Sequence, residues 1–289
     1  MKVAVIGAGK MGRWFAKFFH EEGFSVVVSS RTKNKLKILK NEFGIDIAKN
    51  NIEALKGADW VLICVSLDGL DNVLTEIGPH LKHNQVVMDI SSIKEIPLNL
   101  LHKHVKNAIT LGTHPVFGPG ARNLEGQNYV LTPIKEKEKE FSKKFKGWLE
   151  ERGASVTVMP PKKHDVLMSL VLGFPHFVGL VAGDTLKDRV DFLDAKSVGG
   201  ATYKLLLTLV EAVSSEEQNF YSNLHMSLPE IENIENIFLN RVEEWLQLVK
   251  NKDCHGFALK MSQVKKKLKE LDPDYENAYS TMYKLMDNS

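Results

Sequence analysis

At 289 residues, with 43% hydrophobic and 26% charged side chains, the chain has ordinary globular composition and room for one large or two medium domains. Its 38 basic residues stand against 36 acidic ones, and a formal charge of +2 excludes the strong positive field of a nucleic-acid or polyanion binder. The two cysteines, Cys64 and Cys254, lie far apart, and Cys64 sits inside an apolar run, which argues against a disulfide framework or a zinc site. A reducing, cytoplasmic setting, small-molecule partners and no metal are therefore expected.

Lys2-Val3-Ala4-Val5-Ile6 reads as a short β-branched strand, and glycines follow it at once, so no signal peptide is expected. The strand runs into Gly7-Ala8-Gly9-Lys10-Met11-Gly12 and then into a helix with Trp14, Phe15, Phe18 and Phe19 at helical spacing. Gly-x-Gly-x-x-Gly between a strand and a helix marks a dinucleotide-binding turn. Gly7 allows the tight turn, Gly9 lets a pyrophosphate approach the backbone, and Gly12 lets helix and strand pack closely. Lys10 and Met11 lie where the helix offers free N–H groups and its positive dipole end to phosphates.

The second strand, Ser25 to Ser29, ends where an NAD site supplies an acid to the ribose diol, about 20 residues on. The chain instead has Ser30-Arg31-Thr32, hydroxyls flanking an arginine, which suits a 2′-phosphate and predicts NADP over NAD. The competing reading is that Arg31 simply begins a solvated basic helix with Lys33, Lys35, Lys37 and Lys40. Asp59 to Ser66 is near-continuously apolar, as a buried parallel strand is, and Val65 and Ser66 fall at its ligand-facing end. Gln85 to Ile90 is the next strand, leading to Ser91-Ser92-Ile93-Lys94, and Ala108 to Gly112 is another.

Glycines and two prolines between Gly112 and Gly120 predict a stiff, irregular loop around a single histidine, His114. A histidine titrating near neutral pH on such a loop is placed to move a proton. Ser92, Lys94 and His114 are expected to project from consecutive strand ends into one crevice. Strands alternating with helical segments argue a doubly wound parallel α/β sheet of the Rossmann type.

Asn128 to Thr132 and Ala154 to Met159 read as the last strands, with an amphipathic helix within 135–152 carrying Phe141, Phe145, Trp148 and Leu149. Pro160-Pro161 marks a change of architecture, giving a nucleotide-binding domain over 1–159 and an all-helical domain over 160–289. Val166 to Gly183 is apolar over membrane length, yet it carries Pro175 and His176 at its middle and reads as a buried helix, with no membrane expected. Gly179 and Gly183 permit a close helix approach. Helices follow at 201–213, 216–224 and 229–250, and Lys265, Lys266, Lys267 and Lys269 mark a solvated face. So many large apolar residues suggest a homodimer.

Taken together, the dinucleotide turn, Asp89-Ile90-Ser91-Ser92-Ile93-Lys94, Gly112-Thr113-His114-Pro115-Val116-Phe117-Gly118-Pro119, Leu124-Glu125-Gly126 with Leu131-Thr132-Pro133, His164-Asp165 and Phe174-Pro175-His176 resemble the prephenate and arogenate dehydrogenases of tyrosine biosynthesis. The resemblance covers essentially the whole chain. It implies oxidative decarboxylation of a cyclohexadienol: His114 takes the proton of the ring hydroxyl while hydride leaves the same carbon for the nicotinamide. It further implies that Ser92 orients the hydroxyl and that His176, in a helical dimerisation domain, faces the substrate. Lys94 is a candidate support for the loop or a substrate carboxylate, and its residue type equally allows a helix N-terminal lysine in solvent. Where the family has an arginine for the side-chain carboxylate the chain offers Lys204, and Leu172-Gly173-Phe174-Pro175-His176 lacks the first histidine of the usual wording. Two other readings stay open: another NADP-linked reductase of the β-hydroxyacid dehydrogenase type, and a non-catalytic NADP-sensing dimer.

Overall fold

In the computed structural model, which describes residues 1–287, the N-terminal half alternates strand and helix. The order is β1 (Lys2–Ile6), α1 (Lys10–Glu21), β2 (Ser25–Ser29), α2 (Lys33–Phe43), β3 (Asp46–Ile47), α3 (Asn51–Ala54), β4 (Trp60–Ile63), α4 (Leu67–Ile77), β5 (Val86–Asp89), α5 (Glu95–His104), β6 (Ile109–Pro115), β7 (Asn128–Thr132), α6 (Glu136–Glu150), β8 (Ser155–Val158) and α7 (Pro161–Met168). The strands form one sheet in the order β3-β2-β1-β4-β5-β6-β7-β8. Strands β1 to β6 are parallel; β7 runs antiparallel to β6, and β8 is parallel to β7. The doubly wound parallel sheet expected from the alternating pattern is present, with one antiparallel pairing, that of β6 with β7.

Alternation along each strand sends side chains to opposite faces, and both faces are covered by helices. Val3 and Val5 join a layer rich in aromatic rings, with Phe15, Phe19, Trp60 and Phe145. Ala4 and Ile6 face an aliphatic layer with Leu70, Leu74, Ile77 and Leu101. The reversal of strand order between β1 and β4 opens the crevice where doubly wound sheets bind ligands. Ser29, Ile6, Ile63, Asp89 and Gly112 lie in one register row across five strands. Every expected cofactor and proton-transfer residue of this half follows that row within a few positions.

The remaining helices are α8 (Phe174–Leu186), α9 (Phe192–Val198), α10 (Ala201–Ser214), α11 (Gln218–Met226), α12 (Ile231–Lys250), α13 (Cys254–Leu271) and α14 (Ala278–Asp287). Helices α8 and α10 pack together at the expected glycines: a Cβ on Gly183 would lie 3.0 Å from Val210, and one on Gly179 would lie 3.3 Å from Val213. The chain divides into two compact units, 1–168 with 226–228 and 169–225 with 229–289. The division falls not at the proline pair, where the sheet ends, but after α7, at a π-helical turn over Ser169–Gly173.

The apolar stretch expected to be a buried helix is corrected as well. The continuous helix Pro161–Leu186 is long and apolar enough to cross a membrane, and only 22% of its most apolar window is buried. Leu170, Val171, Leu180 and Val181 are exposed.

Candidate active site

The turn after β1 has the form that its glycines predict. Gly7 has φ +109°, and a Cβ there would lie 2.4 Å from the Cys64 carbonyl oxygen. A Cβ on Gly12 would lie 2.0 Å from the Gly7 carbonyl oxygen, so only glycine lets α1 pass this close. Gly9 meets nothing within 4 Å and caps α1 without a side-chain hydrogen bond. The first turn of the helix therefore faces open space with its N–H groups and positive dipole end, which fits the pyrophosphate of a dinucleotide. Lys10 is exposed and Met11 half-buried beside this turn.

At the end of β2 the two serines separate. Ser29 is buried, and its hydroxyl bonds to Asn51 Oδ1 at 2.7 Å, whereas Ser30 accepts the Thr32 N–H at 3.2 Å on the surface. Arg31 and Thr32 are exposed. At the end of β4, Val65 is half-buried and Ser66, exposed, begins α4.

The expectation of an irregular loop from Gly112 to Gly120 is corrected at its most important residue. His114 lies within β6, paired with Val130, and Pro115 is paired with Tyr129. The pattern of bonds explains why proline is accepted. The Val116 N–H donates to the Asn128 carbonyl, so the nitrogen of Pro115, one residue earlier, points to the other side, where pairing with β5 has already ended at Gly112. The irregular stretch begins only after it. Trp14 of α1 reaches that stretch, donating from Nε1 to the Ala121 carbonyl at 2.6 Å, with its ring 5.0 Å from that of Phe117.

His114 is 3% exposed, and its Nδ1 lies 2.9 Å from Nε2 of the fully buried His164. The expectation of a near-neutral titration is corrected too. Burial, then the neighbouring His164 and the Lys94 ammonium, hold His114 well below the ordinary histidine value, so the imidazole is neutral and already a proton acceptor at physiological pH. The His164 Nδ1 lies 2.7 Å from Asp165 Oδ1, and Asp165 also accepts the N–H groups of Lys94 at 2.6 Å and Glu95 at 2.9 Å.

Lys94 is fully buried, and its ammonium contacts the Asp89 carboxylate and donates to the Thr113 carbonyl at 2.6 Å. That corrects the expectation of a solvent- or substrate-facing lysine. Burial costs this cation its hydration and holds its pKa below the ordinary lysine value although Asp89 partly opposes the shift, and the contacts tie β5 to the residue before His114. Ser92 lies in the half-buried turn between them.

The second unit holds the other two expected residues. His176 Nε2 shares a hydrogen bond with the Tyr221 hydroxyl at 2.8 Å, and burial followed by the neighbouring His225 lowers its pKa. Lys204 is exposed on α10. No cluster of metal-ligating side chains occurs among the described residues.

The family profile "Prephenate dehydrogenase, nucleotide-binding domain" matches residues 15–158. The Methanocaldococcus jannaschii protein named "Probable arogenate/prephenate dehydrogenase" is 36% identical over 92% of this chain and 60% of its own length. Residues 15–158 form a nucleotide-binding domain of the prephenate dehydrogenase family. Arogenate dehydrogenase 2 of Arabidopsis thaliana is 26% identical over 79% of the chain and 64% of that protein. The chain thus spans about 60% of the length of these curated relatives. In fold it is similar to the Aquifex aeolicus prephenate dehydrogenase crystallised with hydroxyphenyl propionate and NAD+, at a TM-score of 0.77 and 21% identity, covering 94% of this chain and 98% of that one. A nucleotide-binding domain of this family, with an open glycine turn, supports a nicotinamide cofactor.

Sequence reasoning quoted His164-Asp165 among the family motifs but gave it no role, and it missed Asp89 as the partner of Lys94. Asp89 does carry a signal, since it ends an apolar strand where a lone carboxylate needs a buried counter-ion.

Proposed function

We propose that this chain catalyses the oxidative decarboxylation of prephenate or arogenate to an aromatic product, with NADP preferred as hydride acceptor. The observation that carries the reading is a neutral, buried histidine two residues beyond the register row from which the glycine turn also springs. When bound, the nicotinamide supplies the two-electron sink for the hydride leaving the ring. The chain supplies the rest. Its turn at Gly7, Gly9, Lys10, Met11 and Gly12 holds the pyrophosphate, and Val65 and Ser66 flank the crevice. Ser30, Arg31 and Thr32 hold the 2′-phosphate, where an NAD site would carry an acid.

In this reading His114 accepts the ring hydroxyl proton, for which a base within hydrogen-bond reach contributes roughly 10²- to 10⁴-fold. Ser92 orients that hydroxyl. Lys94, engaged by Asp89, supports the strand end through the Thr113 carbonyl instead of binding substrate. His176 and Lys204 are the groups of the helical half assigned to the substrate, Lys204 to its side-chain carboxylate. The exposed apolar residues of Pro161–Leu186 are proposed to pair with a second copy of the chain, and the homodimer to work in the cytoplasm.

The test is a spectrophotometric assay of nicotinamide reduction with prephenate and arogenate, each against NADP and NAD. Turnover of at least one substrate, with a higher kcat/KM for NADP, is expected. Absence of turnover with all four pairs rejects the reaction, and equal kcat/KM for the two cofactors rejects the role of Arg31.

A further inference from the structure

We infer that His164, anchored by Asp165, fixes the tautomer of His114, and so acts as a positioning residue that turns the proton-accepting nitrogen away from the protein interior. The inference rests on the reading of His114 as the proton acceptor. It follows from counting hydrogens along a buried chain of three side chains.

Asp165 Oδ1 accepts the N–H of Lys94 and Oδ2 that of Glu95, at the start of α5 where the helix dipole favours a carboxylate. Both oxygens act as acceptors, so the contact of 2.7 Å to His164 puts a hydrogen on His164 Nδ1. The count takes His164 as neutral, and a neutral imidazole has one N–H; a doubly protonated His164 would instead donate from Nε2 and leave the hydrogen of His114 on its Nε2, the result that overturns the inference. His164 Nε2 is then a lone pair, and the atom 2.9 Å from it, His114 Nδ1, carries the hydrogen. That leaves the lone pair of His114 on Nε2.

Burial makes the assignment binding. His164 is 0% exposed, Asp165 4% and His114 3%, so water does not compete for these bonds, and a reversed chain would set two lone pairs or two hydrogens against each other. The other charges at the strand end, Lys94 and Asp89, are engaged with each other. Asp165 is consequently the carboxylate that, through His164, opposes the positive charge His114 gains on accepting a proton.

The experiment is nitrogen NMR of the full-length protein labelled in its histidine rings, at neutral pH and without substrate, together with two substitutions. His114 is expected to show a protonated Nδ1 and an unprotonated Nε2. His164→Gln, whose side-chain carbonyl can accept the same hydrogen, should keep that tautomer and lose less than tenfold in kcat. His164→Leu should mix the tautomers and lower kcat by about 10²-fold, with KM and cofactor affinity little changed. A hydrogen on Nε2 in the unsubstituted protein overturns the inference, as does full kcat in His164→Leu. The NMR signals need no turnover, so they separate a wrong tautomer from a wrong assignment of the base. Should His164→Leu not fold, the unsubstituted protein and His164→Gln decide the matter.

Discussion

At the scale of single residues, the site depends on keeping one imidazole neutral. His114 sits in β6 between a buried lysine and a second histidine, and burial raises the cost of charging it. Replacing it by Asn should lower kcat by at least 10²-fold while fluorescence titration finds cofactor affinity nearly unchanged. Because its pKa is depressed, the acidic limb of the kcat/KM profile should fall below pH 6.5, the ordinary histidine value. Linkage gives the sign for stability. Below that value the unfolded chain binds a proton that the folded chain refuses, so this contribution is full above it and is lost as pH falls. Urea melts at stepped pH, comparing the parent with His114→Asn, check this: the gap between the two should narrow on acidification. His176, also lowered by burial, remains in both proteins and cancels from the comparison.

At the scale of elements, the glycine turn separates binding from folding. Gly9→Ala adds a methyl group facing open space at φ −71°, so the melting temperature should hold while cofactor binding weakens tenfold or more. Gly12→Ala forces a carbon against the Gly7 carbonyl, and both properties should suffer. Such turns are legible because one backbone geometry demands one residue type. The strands Lys2–Ile6, Ser25–Ser29 and Asn128–Thr132 were legible to the residue from β-branched and apolar runs. Strand β3 was not, since its two exposed residues, Asp46 and Ile47, hold their place only by pairing with β2. Strand β6 was cut short in the reading because proline and glycine argue against strands in general, whereas Pro115 occupies the one position whose nitrogen has no neighbour to bond. Burial of Lys94 was equally hidden: its residue type points to solvent, and only the distant pairing of β5 with β6 brings Asp89 and Thr113 around it.

At the scale of the whole molecule, the second unit leaves apolar side chains uncovered on several helices, among them Leu180 on α8, Leu239 on α12 and Leu271 on α13. Association of two chains would cover part of this area, and light scattering at micromolar concentration should return about twice the 32.5 kDa chain mass. Paired substitutions Leu170→Asp and Val181→Asp should shift that mass toward one chain while leaving the sheet of the first unit intact by circular dichroism. A monomer mass for the unsubstituted protein rejects the pairing. The aromatic layer described above has an optical consequence. The sequence has four tryptophans, and Trp14, Trp60 and Trp148 lie in the first unit, where the rings of Trp60 and Trp148 are 5.6 Å apart at 88°. Trp245 stands in the second, beside Phe257 and the Lys260 ammonium. Near-ultraviolet dichroism should therefore be dominated by the coupled pair, and emission from a Trp245-only variant would follow the helical half by itself, so each half of the chain carries its own colourless label.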